Sequence, residues 1–436
     1  MAEPCDVLIH ISELNNRVYY IFRHVFSMIG LRPILTNDKE AFISCTSIKI
    51  NYSKGRFNDE IYIRPQGMLY EKGTKHVNVK ANYYKGLPVL FSCTEESDFP
   101  FDIFTAIFYL ITRYEEYLPF DTDKYGRYHP QDSVAYAYKF IEEPIVEKWV
   151  ELFKDFLKEK YPEISFSRPS FRYIPTIDVD SAFAYRNKGL LLSTALIARD
   201  IFKGEFDELL KRFKVMLHIQ PDPFDNFEFL QKCIQKAGKQ TIFFFLSGRR
   251  GKYDKNIPLR KKAMKNIIKG VSEYAEIGLH PSFESNRKIV HLEREKANLE
   301  RVLNNRVGKS RQHFLKMNFP KTFLNLIKTG ITEDYSVGYA AVTGFRAGTC
   351  TPYNFYDLVR DREERELKIF PFQIMDTTFK TYLNQTAKQA EKKILEFHEK
   401  IKRVNGTYIM IWHNDTFNDS PEGENWRQLF IKLLST

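Results

Sequence analysis

The chain is poor in the features that mark secreted, metal-thiolate or membrane-spanning proteins. It has five cysteines, Cys5, Cys45, Cys93, Cys233 and Cys350. The number is odd and no two form a CxxC pair. That excludes a zinc-thiolate knot and a disulfide frame, and it fits a reducing compartment. The longest apolar run, Ile103 to Thr112, is about half a bilayer span and is stopped by Arg113. The amino terminus lacks a basic segment followed by an apolar one, because Glu3, Asp6 and Glu13 interrupt it. There is no internal repeat and no low-complexity tract. These absences lead to the expectation of a soluble, cytoplasmic protein.

Charge of one sign is also limited. Net charge is +11, from 66 Lys and Arg against 55 Asp and Glu, spread over 436 residues. Such a bias helps attract anions. No RNA- or DNA-binding motif accompanies it, so nucleic acid is not expected as a partner. The densest basic stretch runs from Arg249-Arg250-Gly251-Lys252 to Arg260-Lys261-Lys262 and Lys265. It reads as a solvated loop and helix face in preference to a phosphate-binding patch.

What is present is apolar residues at 43% and aromatics at 15%, with 37 Phe and 25 Tyr. Most of these rings are expected in cores. The length suits two domains. A boundary is expected at Tyr161-Pro-Glu-Ile-Ser-Phe-Ser-Arg-Pro-Ser170, which is rich in proline and serine and aperiodic. The division is therefore residues 1–166 as a mixed α/β domain and 167–436 as a second domain. The first is expected to have strands at Ala41 to Asn51, Glu60 to Arg64 and Leu87 to Cys93. Helices are expected from about Pro100 to Tyr117, with Asp98 as cap, and over Glu142 to Lys160. Asp121-Thr-Asp123-Lys-Tyr125-Gly126 reads as a polar turn, since Pro130 and a missing terminal Glu argue against a calcium loop.

In the second domain, strand-like runs fall at Ile174 to Val179, Thr241 to Leu246, Glu276 to Leu279, Gln312 to Leu315, Asp334 to Tyr339, Ile369 to Met375 and Tyr408 to Trp412. Helical patterns lie between most of them, clearest over Glu284 to Asn305 and Thr386 to Val404. This alternation predicts parallel β/α units, and seven strands fit a barrel slightly smaller than the eight-fold one.

Polar residues collect at the ends of these runs. They are Asp178 and Asp180, His280, Arg311 and His313, Arg346, Asp376, and Trp412-His413. In β/α barrels the active site lies at the carboxyl ends of the strands. Alternation puts Asp178 and Asp180 on one side of their strand. Two close carboxylates repel unless a divalent metal or an arginine lies beside them; strand-end caps or a salt bridge to Arg172 or Arg186 are the plainer alternative. His280 beside the Asp pair reads as a metal ligand, and imidazole with carboxylate suits zinc or another first-row ion. His413 reads as a general acid or as a capping histidine. Arg346, in Gly344-Phe-Arg346-Ala-Gly348, either holds an anionic substrate group or pairs a structural acid. The loop His218 to Asn226 reads as an ordered surface loop, with a substrate lid as the alternative.

Together these residues resemble the polysaccharide deacetylases of the NodB-homology type, carbohydrate esterase family four. The resemblance covers about residues 170–436. Thr176-Ile-Asp178-Val-Asp180 looks like the first motif of that family, His280-Pro-Ser like the start of the second, and Arg311-Gln-His313 stands where the third supplies an Arg. Asp376 and Trp412-His413 look like the last two. The segment Arg113-Tyr-Glu-Glu-Tyr117 through Tyr125-Gly126-Arg127 resembles a domain that accompanies such deacetylases in a Bacteroides-like subgroup.

The resemblance implies a distorted (β/α)7 barrel, a divalent metal such as zinc, and hydrolysis of acetyl groups on an oligo- or polysaccharide. By it Asp178 is the general base, Asp180 and His280 are ligands, His413 is the general acid, Asp376 orients it, and Arg311 holds Asp178. Arg346 and Trp412 are the expected substrate contacts. One departure stands out: the family's second motif carries a further His four residues on, and here that position is Glu284. Either Glu284 ligates the metal, or His313 replaces the missing imidazole, or the site is weak; His313 is preferred, because it can point into the same mouth as Arg311, whereas Glu284 is expected to begin a helix. Two His and one Asp leave positions open for substrate. The competing functions are a non-catalytic glycan-binding protein on a degenerate barrel and a small-molecule C–N amidase.

Overall fold

The computed structural model describes residues 6–46, 48–167 and 169–436. Glu3, Cys5 and Arg168 of the readings above lie outside them. The chain begins with β1 (Asp6–Ile11), α1 (Asn16–Met28), β2 (Arg32–Thr36), α2 (Lys39–Ser44), β3 (Lys49–Tyr52) and β4 (Ile61–Tyr62). These strands form an all-parallel sheet in the order β2-β1-β3-β4. A hairpin, β5 (Ala81–Tyr84) and β6 (Leu87–Leu90), follows. Then come α3 (Ile103–Ile111), α4 (Val134–Ala137) and α5 (Ile145–Lys160).

Local chemistry explains where this differs from the sequence reading. The opening β1-α1-β2 unit was not anticipated, although Asn15 marks its helix by accepting from Val18 N–H at 3.0 Å. The expected strand over 41–51 is split. Asp38 caps Ala41 N–H at 3.0 Å and starts α2, and only 49–52 is extended. The cap of α3 is Asp102, which takes Thr105 N–H at 3.0 Å, and not Asp98. Asp98 instead binds Tyr62 N–H and Arg56.

The second sheet has nine strands. They are β7 (Arg172–Val179), β8 (Ile242–Leu246), β9 (Glu276–His280), β10 (Lys309–Ser310), β11 (Glu333–Asp334), β12 (Tyr353–Asp357), β13 (Arg362–Ile369), β14 (Ile374–Met375) and β15 (Thr407–His413). Their order is β12-β13-β11-β10-β9-β8-β7-β15-β14, parallel throughout except for the β12/β13 hairpin. Between them run α6 (Leu190–Phe202), α7 (Phe206–Met216), α8 (Phe227–Ala237), α9 (Lys262–Ser272), α10 (Ile289–Leu303), α11 (Lys321–Lys328) and α12 (Ala387–Arg403); α13 (Pro421–Leu434) follows β15. The protein is thus mixed α/β with a large parallel sheet.

The central strands are apolar without interruption. Ile-Phe-Phe-Phe-Leu of β8 is buried at every position, as a strand covered on both faces must be. Pro175 is tolerated in β7 because pairing with β8 begins only at Thr176. Three expected strands are corrected. The segment 312–315 is a turn beyond β10, β11 stops at Asp334, and the run 369–375 is divided between β13 and β14. The turn at 313–315 cannot be a strand because Phe314 and Leu315 have φ of 60° and 54°.

Candidate active site

The carboxyl ends of β7, β9, β10, β14 and β15 meet at one cavity of about 290 Å3. Asp178 lies in β7 directly opposite His413 of β15 in the parallel register. Both are held by buried partners. Arg311 donates from Nη1 to Asp178 Oδ1 at 2.8 Å and to Thr176 Oγ1 at 2.7 Å, and from Nε to the Tyr335 carbonyl at 3.0 Å. Its guanidinium lies over the Phe244 ring, 4.6 Å from the centroid. That ring occupies the space above Gly278, where a Cβ would come within 2.4 Å of it. A glycine in β9 therefore sets the height of the arginine that fixes Asp178.

His413 donates from Nδ1 to Asp376 Oδ1 at 2.7 Å. Asp376 is fully buried and also accepts His413 N–H, Thr377 N–H and the Thr416 hydroxyl. Burial alone would lower the imidazolium's pKa. Asp376, with Asp180 and Asp178 beyond it, outweighs burial and holds His413 up at about 10. Asp376, opposed by burial but drawn down by His413, is held at about 2.

Asp180, His280 and His313 form the third group. One ligand atom from each lies within 4.8 Å of the other two. His280 Nε2 is 3.1 Å from Asp180 Oδ1, and His313 Nε2 is 3.4 Å from Asp180 Oδ2. Each imidazole is oriented through its other nitrogen. His280 Nδ1 donates to the Arg311 carbonyl, and His313 Nδ1 to Asp254 Oδ1 at 2.8 Å. Both Nε2 lone pairs are thereby free to face a cation, the usual arrangement around metal-ligating histidines. Asp180 Oδ1 is buried and has no hydrogen-bond donor. A divalent ion would satisfy it, so these residues fit a metal. Without one, burial opposes the charge on His313, but Asp180 and Asp254 hold it up at about 9. Asp180, its side chain 39% exposed, is held well below the carboxylate range by His313, His280 and His413, against the desolvation of its inner oxygen.

The turn that carries His313 is strained at Phe314 and Leu315, which suggests a functional constraint. Aromatic contacts hold it. Phe314 packs 4.9 Å from Tyr125 and 5.3 Å from Tyr253, centroid to centroid. Tyr125 belongs to the polar turn read from sequence, where Asp123 accepts from Tyr125 N–H and Arg127 N–H. Arg127 donates to the Phe314 carbonyl and to Tyr382. Tyr125 and Arg127 thus line the cavity from the amino-terminal part of the chain.

Of the residues singled out from sequence, Asp178, Asp180, His280, Arg311, His313, Asp376 and His413 are brought together. Glu284 is not: it is half-exposed and pairs with Arg287 at 3.4 Å. Arg346 and Trp412 are corrected as substrate contacts. Arg346 is buried in a two-pronged pair with Glu116 (2.8 and 2.5 Å) and donates to the Gly338 carbonyl. Trp412 has no exposed surface and packs on Phe417, Trp426 and Phe430; alternation along β15 turns it away from the face that carries His413. The loop after α7 is ordered by Asp222, which accepts from the N–H groups of Ala184, Tyr185 and Arg186. Asp254, Tyr125 and Arg127 were missed as site residues. For Asp254 the signal was a single acid within the basic run 249–262.

Comparison with known proteins gives the following. A family of unknown function, DUF7033, matches residues 7–162. No curated protein matches the chain. Among solved structures, a protein from Mycobacterium smegmatis described as a candidate polysaccharide deacetylase is 14% identical. It aligns over 63% of this chain and 87% of its own, with a TM-score of 0.41. An allantoinase is 9% identical over 61% of this chain and 85% of its own, with a TM-score of 0.39. A carbohydrate esterase family 4 pseudoenzyme from Bacillus anthracis is 10% identical over 61% of each chain, with a TM-score of 0.30.

Proposed function

We propose that the chain is a metal-dependent hydrolase that removes acetyl groups from an acetylated oligo- or polysaccharide, N-acetyl groups foremost. The observation that carries this reading is the meeting, at one cavity, of three separately supported groups: Asp178 on Arg311, His413 on Asp376, and Asp180 with His280 and His313. In this reading residues 167–436 form the catalytic domain and residues 1–166 an accessory one. Its sheet is a distorted seven-position (β/α) barrel. That is supported by the segment between β13 and β14, where Phe372 N–H donates to the Val337 carbonyl and Gln373 N–H to the Ile409 carbonyl, so one stretch of chain reaches from the β11 side to the β15 side.

Asp180, His280 and His313 would hold the metal, with zinc the ion best suited to the donor set. When bound, the ion supplies a Lewis acid that polarises the acetyl carbonyl and acidifies water. Asp178 accepts the proton of the attacking water. It is kept in place by Arg311, whose donors leave Oδ2 free toward the cavity. His413 carries its proton on Nε2, with Nδ1 committed to Asp376, and gives it to the leaving amine or hydroxyl. A purely binding site would need neither a base nor an acid held in this way.

The test is metal content of the purified protein together with acetate release from N-acetylglucosamine oligomers. Stoichiometric zinc and acetate release that stops on chelation and returns with metal are expected. Protein with bound metal but no acetate release across a panel of N- and O-acetylated glycans would overturn the deacetylase reading.

A further inference from the structure

Half of the exposed large apolar side chains among the described residues fall between positions 190 and 219, in the hairpin of α6 and α7. Leu190 and Leu191 are 85% and 90% exposed, Phe202 is 94% and Phe206 is 66%. Two helices that pair with each other and keep large rings in water have an unpartnered face, which in a soluble protein marks an interaction site. The same hairpin carries Arg199, Lys203, Lys211, Arg212 and Lys214 against Asp200, Glu205, Asp207 and Glu208, with Asp200 paired to Arg199 and Arg212, so its cationic excess is small and the uncompensated charge must come from beside it.

The second observation is independent of the first. A cavity of about 620 Å3 lies where the loop after β8 meets α9 and α10. It is lined by Arg249, Arg250, Arg260, Lys265, Lys269 and Arg301, and by no acidic side chain. Lys265 and Lys269 are one turn apart on α9, a like-charge spacing that costs the helix stability. The basic run that read as a solvated face is therefore gathered into one concave, uncompensated patch. It adjoins the segment that leads into the hairpin: Asn256, in the loop after β8, accepts Ala182 N–H at 3.1 Å and donates to the Val179 carbonyl at 3.2 Å.

We propose that the α6/α7 hairpin and the neighbouring cationic cavity dock the protein on an anionic lipid surface, with the apolar side chains entering the bilayer and the cations holding phosphate headgroups. An in-plane amphipathic element flanked by Lys and Arg has this chemistry. A second copy of the chain fits less well, because a two-fold contact would set the same net-positive patch against itself. The proposal does not depend on the hydrolase reading.

The experiment is co-sedimentation of the full chain with vesicles of phosphatidylcholine alone and with a third of phosphatidylglycerol. Binding is expected on the anionic vesicles and is expected to weaken with salt. It should fall by roughly tenfold in Leu191→Ser/Phe202→Ser/Phe206→Ser, and likewise in Lys265→Glu/Lys269→Glu/Arg301→Glu. Those side chains are exposed, so an unchanged thermal melt checks that both variants fold. Full binding retained in either variant overturns the proposal. So does a dimer in light scattering that the apolar triple converts to monomer, or tight binding of inorganic pyrophosphate with no vesicle binding.

Discussion

Nδ1 of His313 lies 2.8 Å from Oδ1 of Asp254, a residue 59 positions earlier in the chain. Asp254 also accepts the N–H of Phe283, so it ties the loop after β8 to the turn after β9 and orients His313, the third candidate ligand. Asp254→Asn keeps the shape of this link and removes its charge. Zinc affinity, measured by competition with a chromophoric chelator, is expected to drop about 10–100-fold. An unchanged affinity would show that His313 does not ligate.

Asp178 and Asp180 are separable. Asp178→Asn leaves Asp180, His280 and His313 in place, so metal content should persist while kcat falls about 10²–10⁴-fold. Asp180→Ala should lose the metal together with activity. Elemental analysis beside acetate release distinguishes the two. Loss of metal in Asp178→Asn would reassign Asp178 as a ligand.

How far the site could be read from sequence follows from how each residue is placed. Asp178, His280 and His413 are strand-end residues after apolar runs, and their strands were legible because both faces of a central parallel strand are buried. Arg311 and His313 were legible as a pair, but the element carrying them was not. β10 has two residues, and the left-handed turn at Phe314 and Leu315 follows a run that looks extended. The aromatic packing that stabilises this turn comes from Tyr125, far away in sequence. Arg346 shows the opposite failure. A lone Arg between glycines says nothing of whether its partner is a ligand or Glu116. Trp412 cannot serve as a substrate contact beside His413, because neighbours on a strand point to opposite faces.

The His413–Asp376 pair sets a pH dependence. His413, at about 10 against an ordinary 6.5, contributes stability that is fully present below 6.5 and is lost as pH rises through about 10. Asp376, at about 2 against 3.8, contributes stability present above 3.8 and lost as pH falls through about 2. These are two ends of one interaction and do not add. Asp376 holds the proton on His413, so the basic limb of kcat is expected above the ordinary histidine range. Asp376→Asn should move that limb down toward the ordinary histidine range, lowering activity at pH 9 by about tenfold or more. A pH–rate profile with the same basic limb in variant and wild type would remove His413 from the acid role.

Glu116 sits between two buried guanidiniums, Arg346 and Arg113, the latter at 2.8 Å. Despite burial, these two cations hold its carboxyl below the usual range. Glu116→Gln would leave Arg346 without a carboxylate and Arg113 with Glu115 alone, at 3.4 Å, and should cost about 3–5 kcal/mol of stability. Arg346→Met leaves Glu116 paired with Arg113 and should cost less. Denaturant melts of the two variants check the order. Neither should change kcat at a temperature where both are folded, because the pair lies outside the cavity that holds Asp178 and His413 and Arg346 lines only a neighbouring one.

Arg127, with Tyr125, brings the amino-terminal part of the chain to the cavity. Its Nε is held by Asp123 at 2.7 Å, and its other nitrogens reach Phe314 and Tyr382 on the wall opposite. It touches none of Asp178, His413 or the metal-ligand candidates by any hydrogen bond or ion pair, so it positions the wall and does not take part in proton transfer. Arg127→Ala also bares the Tyr125 ring on which its guanidinium lies, 4.8 Å from the centroid. The expected result is a KM raised about tenfold for an oligosaccharide with kcat within about threefold of wild type, the pattern of lost ground-state binding. Arg127→Lys keeps the charge but not the planar fork that spans Asp123, Phe314 and Tyr382, and should rescue little. Equal loss of kcat and kcat/KM with an unchanged KM would mean instead that Arg127 acts through the strained turn on His313, and metal affinity would then fall in the same variant.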